Sequence, residues 1–363
     1  MTRMERFTEI IGKERLDGFL VTNHIDIRYL TGFTGDAGML WVEKDRAVFI
    51  TDFRYETQSK DEVGDKAEIY ITSPDKNYFT ILSEQKVFEN KKLVGFDENS
   101  VNYILYRKLS GIFRDVVWIP LSNPLSELRA VKDTDEINKI ARAVDIAIES
   151  LIDALPLLRP GITEKEFAAE LEYRMKRKGS EKPSFDTIVA SGWRAALPHG
   201  IASDKVIEAG EMVTVDFGAI YDGYSSDLTR TFFIGKPDDK FKKIYGIVLD
   251  AHLAAADKAK AGMTGKGIDG IARKIIEDAG YGEYFGHGLG HGIGLVVHDF
   301  PGVNTRNEKP ILENSVITIE PGIYIPDWGG IRIEDDFIVK ENGTEWLSSE
   351  LPKELSDIII PVG

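Results

Sequence analysis

The chain contains no cysteine, so disulfides, thiol nucleophiles and thiolate metal sites are excluded. Any metal it binds must be held by oxygen and imidazole, donors that suit manganese, cobalt, iron or zinc. It lacks any apolar run of membrane-spanning length, and no long hydrophobic stretch follows Met1-Thr-Arg-Met-Glu-Arg-Phe7. No membrane partner is expected, and the expected location is cytoplasmic. Positive charge is in deficit: 45 basic residues face 60 acidic ones, for a net charge of −15. That balance argues against nucleic acid or an anionic membrane as a main partner. Histidine is also scarce, with six in the chain.

What is present is ample for a core. At 363 residues and 42% hydrophobic content, two domains are expected. Residues 1–123 alternate short helices and strands. Apolar strands are expected at Asp17–Thr22, Met39–Val42, Ala47–Thr51, Ala67–Ile71, Leu93–Phe96 and Val116–Ile119. Helices are expected at Arg6–Arg15, Ile25–Leu30, Tyr78–Phe88 and Tyr103–Phe113. This pattern predicts an α/β layer domain with a mixed sheet. A linker follows at 124–132, and a second domain occupies 133–363.

Asp133 and Glu136 form a capping box that opens a long helix to about Leu157. Thr163 and Glu166 form another, for a helix running to Arg177 and closed by Gly179. An internal repeat then emerges. Gly161, Thr163, Lys165 and Gly179 match Gly262, Thr264, Lys266 and Gly280, each block preceded by a long helix. Two related α/β halves are therefore expected in the second domain.

Each half ends in a hairpin carrying two carboxylates. Val213–Ala219 and Ser225–Phe233 flank the turn signal Asp222-Gly223. Folding about a four-residue loop at Ile220–Gly223 places Asp216 directly opposite Asp227. Val316–Glu320 and Gly330–Glu334 fold about Asp327 and set Glu320 opposite Glu334. Like charges facing across a ladder are destabilising, so such pairs predict a proton or a cation between them.

The histidines cluster. One lies in Pro198-His199-Gly200, and three in Gly286-His-Gly-Leu-Gly-His-Gly-Ile-Gly-Leu-Val-Val-His298. His287 and His291 are four apart, but the glycines at 288, 290, 292 and 294 argue against a helix. A tight backbone loop leading into a strand at Leu295–His298 is expected instead. His252 sits on a helix among apolar neighbours and is assigned a structural role.

At these residues the sequence resembles a known family. Val215-Asp-Phe-Gly, Ser226-Asp-Leu-Thr-Arg, Gly290-His-Gly-Ile-Gly, Ile319-Glu-Pro-Gly-Ile-Tyr and Gly330-Ile-Arg-Ile-Glu-Asp look like the pita-bread metallopeptidases. The match is best to the proline-specific branch, Xaa-Pro aminopeptidase and Xaa-Pro dipeptidase (prolidase). Asp26–Phe33 and Thr51–Tyr55 resemble that family's creatinase-type N-terminal domain, and Ser184–Gly192 and Leu197–His199 match as well. The resemblance implies a creatinase-type mixed-sheet domain followed by a pseudo-symmetric pita-bread catalytic domain.

The resemblance also implies a set of roles. Asp216, Asp227, His291, Glu320 and Glu334 would hold two divalent metal ions, manganese or cobalt first, zinc or iron as alternatives. Four carboxylates and two divalent ions sum to zero charge. A metal-activated water would attack the carbonyl preceding proline, with Glu320 as proton shuttle. His199 and His298 would stabilise the intermediate, and His287, Tyr324 and Arg332 would line the substrate site. Arg332 shares a strand face with Glu334 and is expected to orient it. Partners would be proline-containing peptides and, by family analogy, a second copy in a homodimer.

Several other readings compete. Methionine aminopeptidase shares the ligands but generally lacks such a first domain. Creatine amidinohydrolase shares both domains but lacks the ligands. A non-catalytic peptide-binding protein on this scaffold would have lost ligands that are intact here. Between the two proline-specific activities, the loop His298-Asp-Phe-Pro301-Gly302 lacks an arginine after its proline, which some prolidases use to grip a carboxylate. Arg306 could substitute. An Xaa-Pro aminopeptidase is expected, with a dipeptidase as the alternative.

Overall fold

The computed structural model describes residues 1–362. The chain forms two compact units, Met1–Arg129 and a second beginning at Ala130. The first contains α1 (Arg3–Lys13), β1 (Gly18–Val21), α2 (His24–Thr31), β2 (Met39–Glu43), β3 (Arg46–Thr51), α3 (Glu56–Glu62), β4 (Glu68–Ile71), α4 (Tyr78–Glu84), β5 (Leu93–Asp97), α5 (Tyr103–Ile112) and β6 (Val117–Leu121). Its sheet has the order β4-β3-β2-β1-β5-β6. The β1/β2 and β2/β3 pairs are antiparallel, while β3/β4, β1/β5 and β5/β6 are parallel. The sheet is mixed, as expected. Leu20, Trp41, Val48 and Ile50 pack against Ile81, Leu82, Phe88 and Leu109 to form its core.

A short helix α6 (Ser126–Ala130) precedes the long α7 (Thr134–Ala154). The second unit continues with α8 (Glu164–Arg177), β7 (Ile188–Ser191), β8 (Met212–Phe217), β9 (Ile220–Tyr221), β10 (Tyr224–Ser225), β11 (Leu228–Ile234), α9 (Asp239–Lys258) and α10 (Gly265–Asp278). Strands β12 (Gly290–Gly292), β13 (Asp299–Val303), β14 (Val316–Ile319), β15 (Gly322–Ile325), β16 (Gly329–Arg332), β17 (Asp335–Lys340), β18 (Gly343–Trp346) and β19 (Ile359–Ile360) follow. The principal sheets run β19-β11-β8-β7 and β13-β12-β14-β17-β18.

The repeat has a physical basis. Thr163 and Thr264 cap α8 and α10 through their side chains. Gly161 and Gly262 adopt φ of 97° and 86°, and Gly179 and Gly280 of 111° and 85°, which a side chain would resist. The N–H groups of Gly161 and Gly262 donate to the carbonyls of Ile207 and Ile311. Those of Lys165 and Lys266 donate to Ser203 and Asn307, and both lysines pair with a nearby acid, Asp204 or Glu308. The two halves thus repeat their hydrogen bonds as well as their sequence.

Two local expectations are corrected. The first hairpin closes on Asp222-Gly223 alone, with φ of 44° and 77°, so Tyr221 pairs with Tyr224. Such a two-residue turn matches strand twist better than the expected four-residue loop. The register slides by two, and Asp216 pairs with Thr229 rather than Asp227. A two-residue slide preserves the face, so both aspartates still point the same way, on a diagonal. The second correction concerns Leu295–His298, which is a bend, while the glycines at 290 and 292 form the strand. A Cβ at Gly290 would sit 2.1 Å from the Thr318 carbonyl oxygen, and one at Gly292 2.0 Å from that of Phe300. Close backbone approach selects glycine here. The second hairpin keeps its register: Gly322 pairs with Arg332 on one side and Ile319 with Asp335 on the other, which brackets Glu320 and Glu334 as an opposed pair.

Gly218 lies across from Asp227, and a Cβ there would fall 2.0 Å from the Ser226 carbonyl oxygen. Gly218→Ala should therefore destabilise the unit by about 1–3 kcal/mol. Gly270, in the interior of α10 with nothing near its Cβ position, should instead gain about 0.5–1 kcal/mol on replacement by alanine. Chemical denaturation of both variants checks this; equal midpoints would refute the close-approach argument.

Candidate metal centre

Strand ends and tight turns of the second unit converge on a cavity of about 860 Å³. Asp216, Asp227, His287, His291, His298, His199, Glu320, Tyr324, Arg332 and Glu334 all line it. Asp216 and Asp227 come from the β8–β11 hairpin, Glu320 and Glu334 from the opposed ends of the β14–β17 ladder, and His291 from the middle of β12. Strands β8, β11 and β14 are buried along their whole length, and the four carboxylates, at or beside strand ends, line the cavity.

The acids are buried and crowded. Asp216, Asp227 and Glu334 are 8%, 5% and 2% exposed. Ligand atoms of Asp227, His291 and Glu334 lie within 4.8 Å of one another. His291 Nε2 stands 3.4 Å from Glu320 Oε1 and 3.6 Å from Asp227 Oδ2. Its Nδ1 is 3.0 Å from the Gly292 carbonyl oxygen. Because that oxygen can only accept, the proton sits on Nδ1 and the Nε2 lone pair faces the acids. Burial first, then neighbouring carboxylates, pushes Asp227 and Glu334 well above the ordinary range. Burial raises Glu320 to about 8 and lowers His291 to about 4. Asp216 Oδ1 is buried with no hydrogen-bond partner. A lone pair and an orphaned oxygen facing buried acids are the donor set a divalent cation completes.

The surroundings hold these groups at fixed angles. Thr229 Oγ1 donates to Glu334 Oε2 at 2.6 Å and receives Arg332 Nε at 3.1 Å. Arg332 therefore reaches Glu334 through Thr229, and its direct partner is Asp216, at 2.5 Å. Its Nη1 donates to Tyr324 Oη at 2.8 Å, and that hydroxyl lies 2.9 Å from His287 Nε2. Burial lowers His287 to about 4, so it stays neutral at pH 7. His298 lies against His291 with ring centroids 4.5 Å apart, and burial lowers it as well. His252 is fully buried, 3.1 Å from Asp335, which Arg230 also pairs at 2.8 Å. It does not line the cavity.

Sequence reasoning overlooked Thr229, Thr318 and Asp336. Thr318 Oγ1 accepts from the His291 N–H and donates weakly to Glu320. Asp336 Oδ2 accepts from the Asp227 N–H at 3.0 Å. Each lies two residues from an acid on the same strand face, and that spacing was the available signal.

Fold and site together define a metallopeptidase. Residues 3–131 match the Creatinase/Prolidase N-terminal domain, and residues 135–341 match Metallopeptidase family M24. The chain belongs to metallopeptidase family M24, with the pita-bread architecture of that family's catalytic domain. It is similar to an Xaa-Pro dipeptidase of Pyrococcus horikoshii, 40% identical over 348 residues that cover 95% of this chain and 96% of the relative. Among solved structures it resembles an Xaa-Pro dipeptidase from Bacillus anthracis, with TM-score 0.94, 43% identity and 99% coverage of both chains. It also resembles an X-Pro aminopeptidase from Thermotoga maritima, with TM-score 0.89, 41% identity, and coverage of 99% of this chain and 100% of the other. Among the described residues no helix is long and apolar enough to cross a membrane.

The crowding has a pH consequence for metal-free protein. A carboxylate raised by folding contributes stability below its ordinary pKa and loses it as pH rises through the folded value. The depressed histidines act oppositely, but only below their ordinary value of 6.5. Between pH 6.5 and about 8, where Glu320 titrates, the carboxylates act alone. The melting temperature of chelator-treated protein should fall across that window. A flat or rising profile would contradict the crowded geometry.

Proposed function

We propose that this chain is a dinuclear metal peptidase that hydrolyses the bond preceding proline at the N-terminus of peptides. In this reading residues 1–123 are the creatinase-type domain, 124–132 the linker and 133–363 the catalytic domain. The observation that carries it is the convergence of three buried carboxylates, the partly buried Glu320 and the His291 Nε2 lone pair in one cavity. Asp216, Asp227, His291, Glu320 and Glu334 hold two divalent ions, manganese or cobalt by preference. Those ions, when bound, polarise the scissile carbonyl and acidify a water molecule.

The chain's own residues do the rest. Glu320, raised to about 8 before metal binds, is placed to take and return a proton. His199 and His298 face the cavity and donate to the developing oxyanion. His287, Tyr324 and Arg332 form one hydrogen-bonded row that fixes Asp216 and borders the substrate. Phe185, Ile188, Ala196, Pro198 and Ile201 add an apolar wall suited to a proline ring. The protein acts in the cytoplasm as a homodimer, by family analogy.

Substrate length divides two readings. The loop after His298 has glycine at 302, which leaves the carboxylate end of the substrate without a fixed cation there and favours an aminopeptidase acting on longer peptides. Arg306 favours the dipeptidase: it lines the cavity and has no ion pair among the described residues. The names of the relatives divide in the same way.

Chelation should abolish activity, and manganese or cobalt should restore it. Asp227→Asn should lower kcat by at least about 100-fold. Full activity of metal-free enzyme, verified by elemental analysis, would overturn the proposal. Xaa-Pro-Yaa should be cleaved at least as well as Xaa-Pro under equal metal loading, and Arg306→Ala should change neither. Turnover of the dipeptide alone, lost in Arg306→Ala through a raised KM, would establish the dipeptidase instead.

A further inference from the structure

Helix α8 opens with Glu164, a carboxylate of 0% exposure directly after the N-cap Thr163. Its Oε1 accepts the Ser191 N–H at 2.7 Å and the Ser191 hydroxyl at 2.9 Å. Its Oε2 accepts the Ser203 N–H at 3.0 Å, the Ser203 hydroxyl at 2.6 Å and Arg194 Nε at 3.0 Å. Ser191 ends β7, and Ser203 lies where the chain returns to the helix start. Between them run Ala196, Pro198, His199 and Ile201, all lining the cavity. Arg194 closes the segment further, with Nη2 donating to the Ile201 carbonyl at 2.7 Å.

The His199 ring makes no hydrogen bond among the described residues and is exposed. Nothing on its own side chain aims it, so its backbone must. A buried carboxylate costs several kcal/mol unless its lone pairs are filled. Here donors from both ends of one segment fill them. The fold itself does not require the acid. The equivalent first residue of α10 is Gly265, where a Cβ would lie 2.2 Å from the Gly302 carbonyl oxygen. There the corresponding segment is held by Asn307 Nδ2 on the Gly302 carbonyl, at 2.7 Å, and by Asn304.

We infer that Glu164 is a positioning residue that staples both ends of the Ser191–Ser203 segment and so aims His199 into the cavity. The inference rests on the proposed contact of His199 with substrate. None of the five proposed metal ligands lies on the segment. Glu164 should therefore govern turnover without governing metal content.

The test compares Glu164→Gln, His199→Gln and their double variant, each metal-loaded and each assayed for bound metal. In Glu164→Gln an amide donor would face the Ser203 or Ser191 donors and release one end. Its kcat should fall about 10- to 100-fold, the range that a misplacement near 1 Å produces, with metal content unchanged. The double variant should be no slower than His199→Gln. Limited proteolysis within 192–202 should accelerate in Glu164→Gln and not in His199→Gln. Should Glu164→Gln fail to fold, Ser203→Ala removes a single donor and should show the same pattern more weakly. Additive losses in the double variant, or unchanged proteolysis, would overturn the staple while leaving His199 its role. Wild-type turnover by His199→Gln would instead remove the reading on which the inference rests, and the inference with it.

Discussion

Mutual repulsion among buried carboxylates is the constraint that shapes the catalytic unit. Asp216, Asp227, Glu320 and Glu334 face one cavity, and burial raises three of them. Left to themselves, such groups would move apart or stay protonated. The surrounding chain resists both. Arg332 pairs Asp216, Thr229 donates to Glu334, and Asp336 binds the backbone beside Asp227. Behind these, Arg230 spans the Thr229 and Glu334 carbonyls and the Asp335 carboxylate. Every residue in this set is buried, so removing one leaves a charge or polar group exposed to low dielectric. The scaffold is strongest where its electrostatics are worst.

The pseudo-symmetry explains how one chain gathers so much charge. Each half contributes a helix pair, a capped second helix and a hairpin with two acids. A single hairpin would expose its acids to water on an open sheet face. Two halves close against one another and leave a cavity with acids on both sides. Symmetry stops at the loops. The first half holds its segment with the Glu164 carboxylate, the second with asparagines over Gly265. The second half also adds the glycine-rich strand β12, which carries the imidazole.

Much of this was legible in the sequence, and the losses have physical causes. Eight of the expected residues, the four acids and His199, His287, His291 and His298, stand out because acids in largely apolar strands and clustered histidines have few structural explanations, whereas Tyr324 and Arg332 came from the family resemblance; all ten border the cavity. The capped helices follow from side-chain chemistry within four residues. Register was harder. A shift of two keeps every side chain on its face, so hydrophobic alternation cannot separate Asp216 opposite Asp227 from Asp216 opposite Thr229. Only the backbone preference of Asp222-Gly223 decides it. The Gly286–His298 region inverted the usual signals. Its glycines form the strand, because neighbouring carbonyls come within reach of any Cβ, and its apolar run forms the bend. The spacing of Thr229 from Asp227 marks it as a site candidate, but its partner on another strand, Glu334, is fixed by no local pattern.

Arg332 illustrates how these layers combine. Sequence alternation places it beside Glu334, yet its guanidinium lies against Asp216 and Tyr324. With the two ions proposed for the site, the four carboxylates would be neutralised, and Arg332 would leave the centre with one positive charge in excess until the acidified water gives up its proton. In a water-poor cavity an excess of that sign favours negative charge developing on a substrate oxygen. Its guanidinium cannot relieve the excess by losing a proton, since arginine stays charged in proteins. Lysine would supply the same charge but not the planar fork that engages Thr229, Tyr324 and Asp216 at once. Under the proposed function, the side chain that pairs Asp216 would thus also set the sign of the field at the reacting bond.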